Sequence, residues 1–352
     1  MGTIFVTGGA GFIGSTFTQR LIKRMIQVVN LDLLTYASNK PVLASLLKQD
    51  NHIFVKGSVC DSKLVEKLLL QYAPNTIVHF AAESHVDRSI ENASNFINTN
   101  ILGTYQMLVS ATHFWNSLKP NLKKDFRFIH ISTDEVFGSL SSEGKFSETS
   151  PYNPRSPYSA SKAAADHLVR SWNHTYGLPI IITNCSNNYG PYQFPEKLIP
   201  MLILAGLENK PLPIYGDGKN VRDWLHVEDH CTAIELVMRE GIPGHTYCIG
   251  GNAERTNMEV AHTICEFLDL LAPRIDDCLH SQSIKLIADR PGHDFRYAID
   301  TRKINELGWQ PKYSFETGLY ETVQWYLKNQ DWWSSIRLNE YSGERLGMLE
   351  AI

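Results

Sequence analysis

The chain has 352 residues, 43% apolar and 20% charged, which suits a globular protein with one main domain and a smaller one attached. Its net charge of −4 excludes general attraction to nucleic acid or an anionic membrane, so any anionic ligand must be held by local basic residues. The six cysteines form no C-x-x-C pair and no apolar stretch reaches membrane-spanning length, so reduced thiols, a cytoplasmic setting without a signal peptide, and no metal are expected.

Short β-branched runs at 3–7, 27–31, 53–55, 76–80, 127–131 and 180–184 read as strands. Helical patterns near 12–25, 61–71, 94–117 and 158–175 lie between them. This alternation predicts an α/β fold, a doubly wound parallel sheet of Rossmann type with ligands at the carboxyl ends of the strands. After residue 185 the pattern is less regular and rich in proline; 257–270 reads as a helix, 284–287 as a strand and 315–328 as a final helix. The expected division is a dinucleotide domain over 1–189, with returns near 222–252 and 300–328. A smaller, interleaved C-terminal substrate-binding domain takes 190–221 and 253–299, and the 331–352 tail has no assigned role.

Gly8, Gly11 and Gly14 stand between the first strand and the first helix. Glycines there permit a tight turn and let the backbone approach a pyrophosphate, which then rests on the helix N-terminus. Asp32 closes the next strand, where a carboxylate binds the adenosine ribose hydroxyls and repels a 2′-phosphate. NAD is therefore expected rather than NADP.

Tyr158 and Lys162, in Tyr158-Ser159-Ala160-Ser161-Lys162, fall one helical turn apart and share a face. A nearby ammonium is expected to stabilise the phenolate, making the tyrosine a base toward an alcohol. Thr133 ends the strand before them, followed by Asp134 and Glu135. A plain dehydrogenase has no need of that acid pair. Oxidising an alcohol to a ketone acidifies the hydrogen on the adjacent carbon; a base can then remove it while an acid helps a hydroxyl leave the carbon beyond. Tyr158, Glu135 and Asp134 supply the required proton-transfer groups.

The tyrosine–lysine–threonine set resembles the extended short-chain dehydrogenase/reductase family. More specifically, Ser132-Thr133-Asp134-Glu135-Val136 resembles the dTDP-glucose 4,6-dehydratase family, as do His79–Ser89, Asn184–Pro191, Phe194–Pro200, Arg222–Leu225 and Asp289–Asp294, over residues 1 to about 330. The resemblance implies that Tyr158 deprotonates the C4 hydroxyl, Thr133 hydrogen-bonds it and Lys162 holds the nicotinamide ribose. Glu135 takes the C5 proton, and a protonated Asp134 serves the departing C6 hydroxyl, so the two neighbouring carboxyls must differ in protonation. The implied conversion is dTDP-glucose to its 4-keto-6-deoxy product and water, with NAD recycled.

It also implies an NAD site lined by Phe12, Ile13, Leu33, Leu34, Thr35, Ser58, Val59, Ala81, Ala82, Ser84, Thr99 and Asn188. The nucleotide-sugar would meet Ser84, Asn187, Lys197, Leu198, Pro213, Tyr215, Asn257, Asp289, Arg290 and His293. Arg222 joins them, its guanidinium fork matching a diphosphate. A homodimer through the helices near 94–117 and 158–175 is implied too. Ser58 replaces an acid common in the family, a change expected to weaken NAD binding; Leu33, Phe137 and His226 are further departures that remove no reacting group. The competing readings are a nucleotide-sugar 4-epimerase, which has no use for Asp134-Glu135, a GDP-mannose dehydratase, and a non-catalytic NAD-binding regulator.

Overall fold

The computed structural model describes residues 2–344 and 346; Arg345 and 347–352 of the C-terminal tail lie outside the described residues. The strands are β1 (Ile4–Thr7), β2 (Val28–Asp32), β3 (His52–Lys56), β4 (Thr76–His79), β5 (Arg127–Thr133) and β6 (Ile180–Cys185), close to their expected limits. They continue as β7 (Asn187–Tyr189), β8 (Leu212–Tyr215), β9 (Val221–His226), β10 (Thr246–Ile249), β11 (Glu254–Thr256) and β12 (Ile284–Ile287). A seven-stranded sheet runs β10-β6-β5-β4-β1-β2-β3, every pair parallel. The chain winds outward in both directions from β1, so the crevice at the carboxyl ends of β1 and β4 is the place for a ligand.

Strands β1, β2, β4 and β6 are buried on both faces, as parallel strands covered by helices must be. Phe17 and Leu21 of the Phe12–Lys23 helix and Ile234 and Val237 of the Val227–Glu240 helix close one face. Leu68, Met107, Leu108 and Val169 close the other. A second core joins Leu202 and Ile203, Ile264 and Leu268, and Leu319, Val323 and Tyr326, from the helices Leu198–Leu207, Asn257–Leu271 and Phe315–Lys328.

Two expectations change. The Phe315–Lys328 helix buries its apolar side chains in the second core, so in the 300–328 stretch the main core receives Ile304 and Trp309, with Leu307 packed against it. The expected 94–117 helix is also broken: Ser94–Phe96 leads into a π-helical stretch, Ile97–Gly103, before Thr104–Ser117. Within it, Asn100 accepts from the Glu83 backbone N–H at 2.8 Å and donates to the Glu83 carbonyl at 3.0 Å and to Ser161 Oγ at 2.8 Å. Such wide turns commonly mark functional sites.

Candidate active site

The first half of the site follows from backbone geometry after β1. Gly8 has φ of +71°, and a Cβ there would stand 2.6 Å from the Ala81 nitrogen, so only glycine fits. Gly11 precedes the Phe12–Lys23 helix without a side-chain cap, leaving first-turn N–H groups available. Gly11, Phe12, Ile13 and Gly14 line a cavity of about 330 Å³, an arrangement that fits a pyrophosphate. Asp32 accepts from Ala10 N–H at 2.9 Å and Leu34 N–H at 2.8 Å. It thus braces the glycine turn and still has acceptor capacity for ribose hydroxyls. Burial pushes its carboxyl up, and those two hydrogen bonds oppose the shift. Gly8, Leu33, Thr35, Ser58, Val59, Ala81, Ala82, Ser84, Thr99 and Asn188 also line this cavity. Leu34 stands behind the lining and contributes its backbone to Asp32. Ser58 Oγ already accepts from Cys60 N–H at 3.1 Å.

The reacting groups gather where β5 ends. That strand runs two residues past its expected limit, pairing Ser132 and Thr133 with Asn184 and Cys185 of β6. Asn184 Nδ2 donates to the Thr133 carbonyl at 2.9 Å. A tight turn, Asp134–Phe137, then swings the two acids inward, with Thr133 Oγ1 accepting from Glu135 N–H at 3.3 Å. The Pro157–Tyr176 helix starts on a Ser156–Ser159 capping box. Ser89 Oγ accepts from Tyr158 N–H at 3.2 Å, and the two devices fix the tyrosine at the helix start.

The two acids have different surroundings. Asp134 is 1% exposed. Its carboxyl is pushed well above the usual range by burial and then by Glu135 and Asp223. Burial also raises Glu135, but Arg290, Arg222 and Lys197 pull it back. Tyr158 and Lys162 both lie buried at the helix start, and their surroundings differ. Burial, followed by Glu135, pushes the phenol well above its ordinary value, and Lys162 Nζ donates to the Ile131 carbonyl at 2.8 Å. Burial lowers the Lys162 pKa, while Asp166 supports its charge.

A second cavity, of about 420 Å³, is lined by Ser84, Asn187, Lys197, Leu198, Pro213, Tyr215, Arg222, Asn257, Arg290 and His293. Glu135, Ser84 and Asn187 border both cavities, whereas Thr133, Asp134, Tyr158 and Lys162 border the first. Arg222 stacks on Tyr297 at 4.3 Å and donates to the Asp294 carbonyl at 2.9 Å. Asp289 does not line the cavity; its carboxylate lies 2.7 Å from His293 Nδ1 and orients that ring. Asp87, Gln193, Glu196, Tyr297 and Tyr341 also line it and were missed as site residues. Asp87 and Glu196 lay inside motif blocks singled out in the sequence, while Tyr341 carried no sequence signal. Among the described residues no group of three or more His, Cys, Asp or Glu is placed to hold a metal, and no helix is long and apolar enough to cross a membrane.

The sequence-family model for GDP-mannose 4,6 dehydratase matches residues 5–322. A curated dTDP-glucose 4,6-dehydratase of Xanthomonas campestris is 55% identical over 348 residues, covering 99% of each chain. The solved dTDP-glucose 4,6-dehydratase of Bacillus anthracis, in complex with NAD, is 44% identical with a TM-score of 0.84, covering 96% of this chain and 100% of that one. The UDP-glucose 4-epimerase of Thermus thermophilus, also with NAD, shares the fold at a TM-score of 0.81 but only 27% identity, covering 93% and 99%. Sequence identity separates the two activities where the fold does not. With end-to-end identity to dTDP-glucose 4,6-dehydratases and the Asp134-Glu135 pair in place, the chain belongs to the dTDP-glucose 4,6-dehydratase family.

Proposed function

We propose that this protein is an NAD-dependent hydro-lyase converting dTDP-glucose to dTDP-4-keto-6-deoxyglucose and water. The observation that carries this reading is the contrast between adjacent acids where the two cavities meet: Asp134 shut away from water, Glu135 facing cations. An epimerase on the same fold has no use for it.

The glycine turn, the uncapped helix start and Asp32 would hold NAD. When bound, NAD supplies a reversible hydride acceptor, so one cofactor serves both oxidation at C4 and reduction at C6. Tyr158 takes the proton of the C4 hydroxyl, with Thr133 aligning that hydroxyl and Lys162 holding the nicotinamide ribose. Glu135 removes the C5 proton made acidic by the neighbouring ketone. Asp134, protonated through its burial, gives its proton to the C6 hydroxyl, which leaves as water. Protons balance once Glu135 returns its proton to C5 and the proton taken by Tyr158 is matched by reprotonation of Asp134.

Arg222, Arg290 and Lys197 face the second cavity and supply the positive charge that a nucleoside diphosphate needs on a chain of net charge −4. Exposed apolar side chains on the helices expected at a subunit contact, Ile97, Leu102, Tyr105 and Tyr176, support a homodimer. Light scattering during size exclusion tests that assembly. Incubation with dTDP-glucose, with UDP-glucose and GDP-mannose as controls, tests the activity. Formation of the 4-keto-6-deoxy product from dTDP-glucose alone is the expected result, and turnover of a control in preference to it would overturn the substrate assignment.

A further inference from the structure

Arg290 lines the second cavity together with Asp87 and Glu135, and is bonded to Asp87. Its Nη1 donates to Asp87 Oδ1 at 3.0 Å, while Nε is buried with no hydrogen-bond partner among the described residues. Arg290 is also the largest influence opposing the upward shift of Glu135, although the two side chains are not hydrogen-bonded to each other. The Asp87 side chain is 8% exposed, and its other oxygen accepts from Tyr215 Oη at 3.1 Å. It therefore ties the short Val86–Glu91 helix of the main domain to β8 and to the Asp289–His293 loop.

We propose that Asp87 is a positioning residue of the reaction: it anchors the Arg290 guanidinium and so keeps that arginine from pairing directly with Glu135. This rests on the assignment of Glu135 as the base at C5. A buried guanidinium freed from its partner takes another carboxylate within reach, because an unpaired buried charge is costly. Glu135 pairing with it would become a weaker base. Anchored, Arg290 acts on Glu135 only through its field. The other groups acting on Glu135 are Arg222, Lys197 and Asp294, together with its neighbours Asp134, Tyr158 and Tyr297. Those facing Asp87 are Arg290, Tyr215 and Lys197. Among the described residues the Arg290 guanidinium forms an ion pair with Asp87 and not with Asp134 or Asp294.

The test is kcat against pH for Asp87→Asn and Asp87→Glu, with bound NAD and melting temperature as controls. Asp87→Asn keeps its NAD, loses about tenfold in kcat near neutral pH, and its acid limb moves about one unit lower, as a new close ion pair on Glu135 requires. Asp87→Glu restores the anion and returns the limb toward its original position. Asp87→Ser, smaller and neutral, gives the same downward shift and serves if the asparagine variant does not fold. An unmoved limb in a folded, NAD-bearing Asp87→Asn or Asp87→Ser overturns the anchor, as does a limb in Asp87→Glu displaced as far as in Asp87→Asn. Glu135→Gln separates the two ideas: wild-type turnover there overturns the assignment of the base itself. An inactive Glu135→Gln beside an unmoved Asp87→Asn limb overturns only the role of Asp87.

Discussion

The two cavities are built on different principles. The cofactor side takes much of its lining from strand ends and tight turns of the first domain, and backbone groups do most of the shaping: the Gly8 turn, the helix start at Phe12, the amides bound by Asp32. The substrate side draws on segments as distant as Ser84, Arg222, Arg290 and Tyr341, and side-chain ties such as Arg290–Asp87 and Tyr215–Asp87 hold it together. Backbone-shaped sites tolerate little change in shape. Side-chain-shaped sites can change what they recognise while the cofactor remains in place.

The strongest way to sharpen this contrast is at the junction. Glu135→Gln and Asp134→Asn should each cut kcat by about 10²–10⁴-fold, the usual worth of a general acid or base, while purified protein keeps its NAD. Cofactor content by absorbance and turnover by product formation separate the two effects; coupled loss of both would break the distinction between the cavities. The same pair contributes to the pH response, alongside Tyr158. Activity is lost as pH falls through the raised pKa of Glu135, which must be ionised, and again as pH rises through the more strongly raised pKa of Asp134, which must be protonated. A kcat profile without an acid limb would contradict this.

On the cofactor side, Gly8→Ala should cost about 1–3 kcal/mol in stability through its left-handed backbone, and NAD should be lost with it. Denaturant unfolding and cofactor content measure the two. Arg222→Ala should raise KM about 10–100-fold, the worth of hydrogen bonds to a charged group, with NAD content unchanged. If NAD fell in parallel, the cavities would not be separable in this way. The smallest effect is expected from Ser58→Asp, which should tighten NAD binding by about fivefold through a charge-assisted hydrogen bond. Calorimetric titration of protein stripped of NAD would check it.

The same contrast explains how far the sequence could be read. β1, the glycine turn and Asp32 follow one another closely, so hydrophobic pattern and glycine spacing were enough to place them. Tyr158, Lys162, Asp134 and Glu135 were recognisable because their chemistry and local order are distinctive. The Leu198–Leu207 helix was harder to place, being apolar nearly all round with a proline inside, so it lacks the one-sided stripe that marks a surface helix. β10 is four residues long and is defined by pairing with β6, a partner far away in the chain. The surroundings of Tyr158 were not legible either: burial raises its phenol and Lys162 is directed at a backbone carbonyl, and residue spacing does not report burial. Tyr341 reaches the substrate cavity only after the second core has folded the C-terminal helices back, a contact without local signature.

The widened turn at Ile97–Gly103 has a consequence for how the gene can change length. A π stretch holds one residue more than the α-helix it interrupts, and here that extra residue lets Asn100 reach Glu83 and Ser161 while Thr99 lines the cofactor cavity. Deleting a single codon there would let the segment close into an ordinary helix, so the flanking helical residues keep their faces while those of the widened turn itself are re-aimed. Thr99 and Asn100 could then no longer both face their partners. An in-frame deletion scan, read by cofactor content, should find this helix intolerant along its π segment.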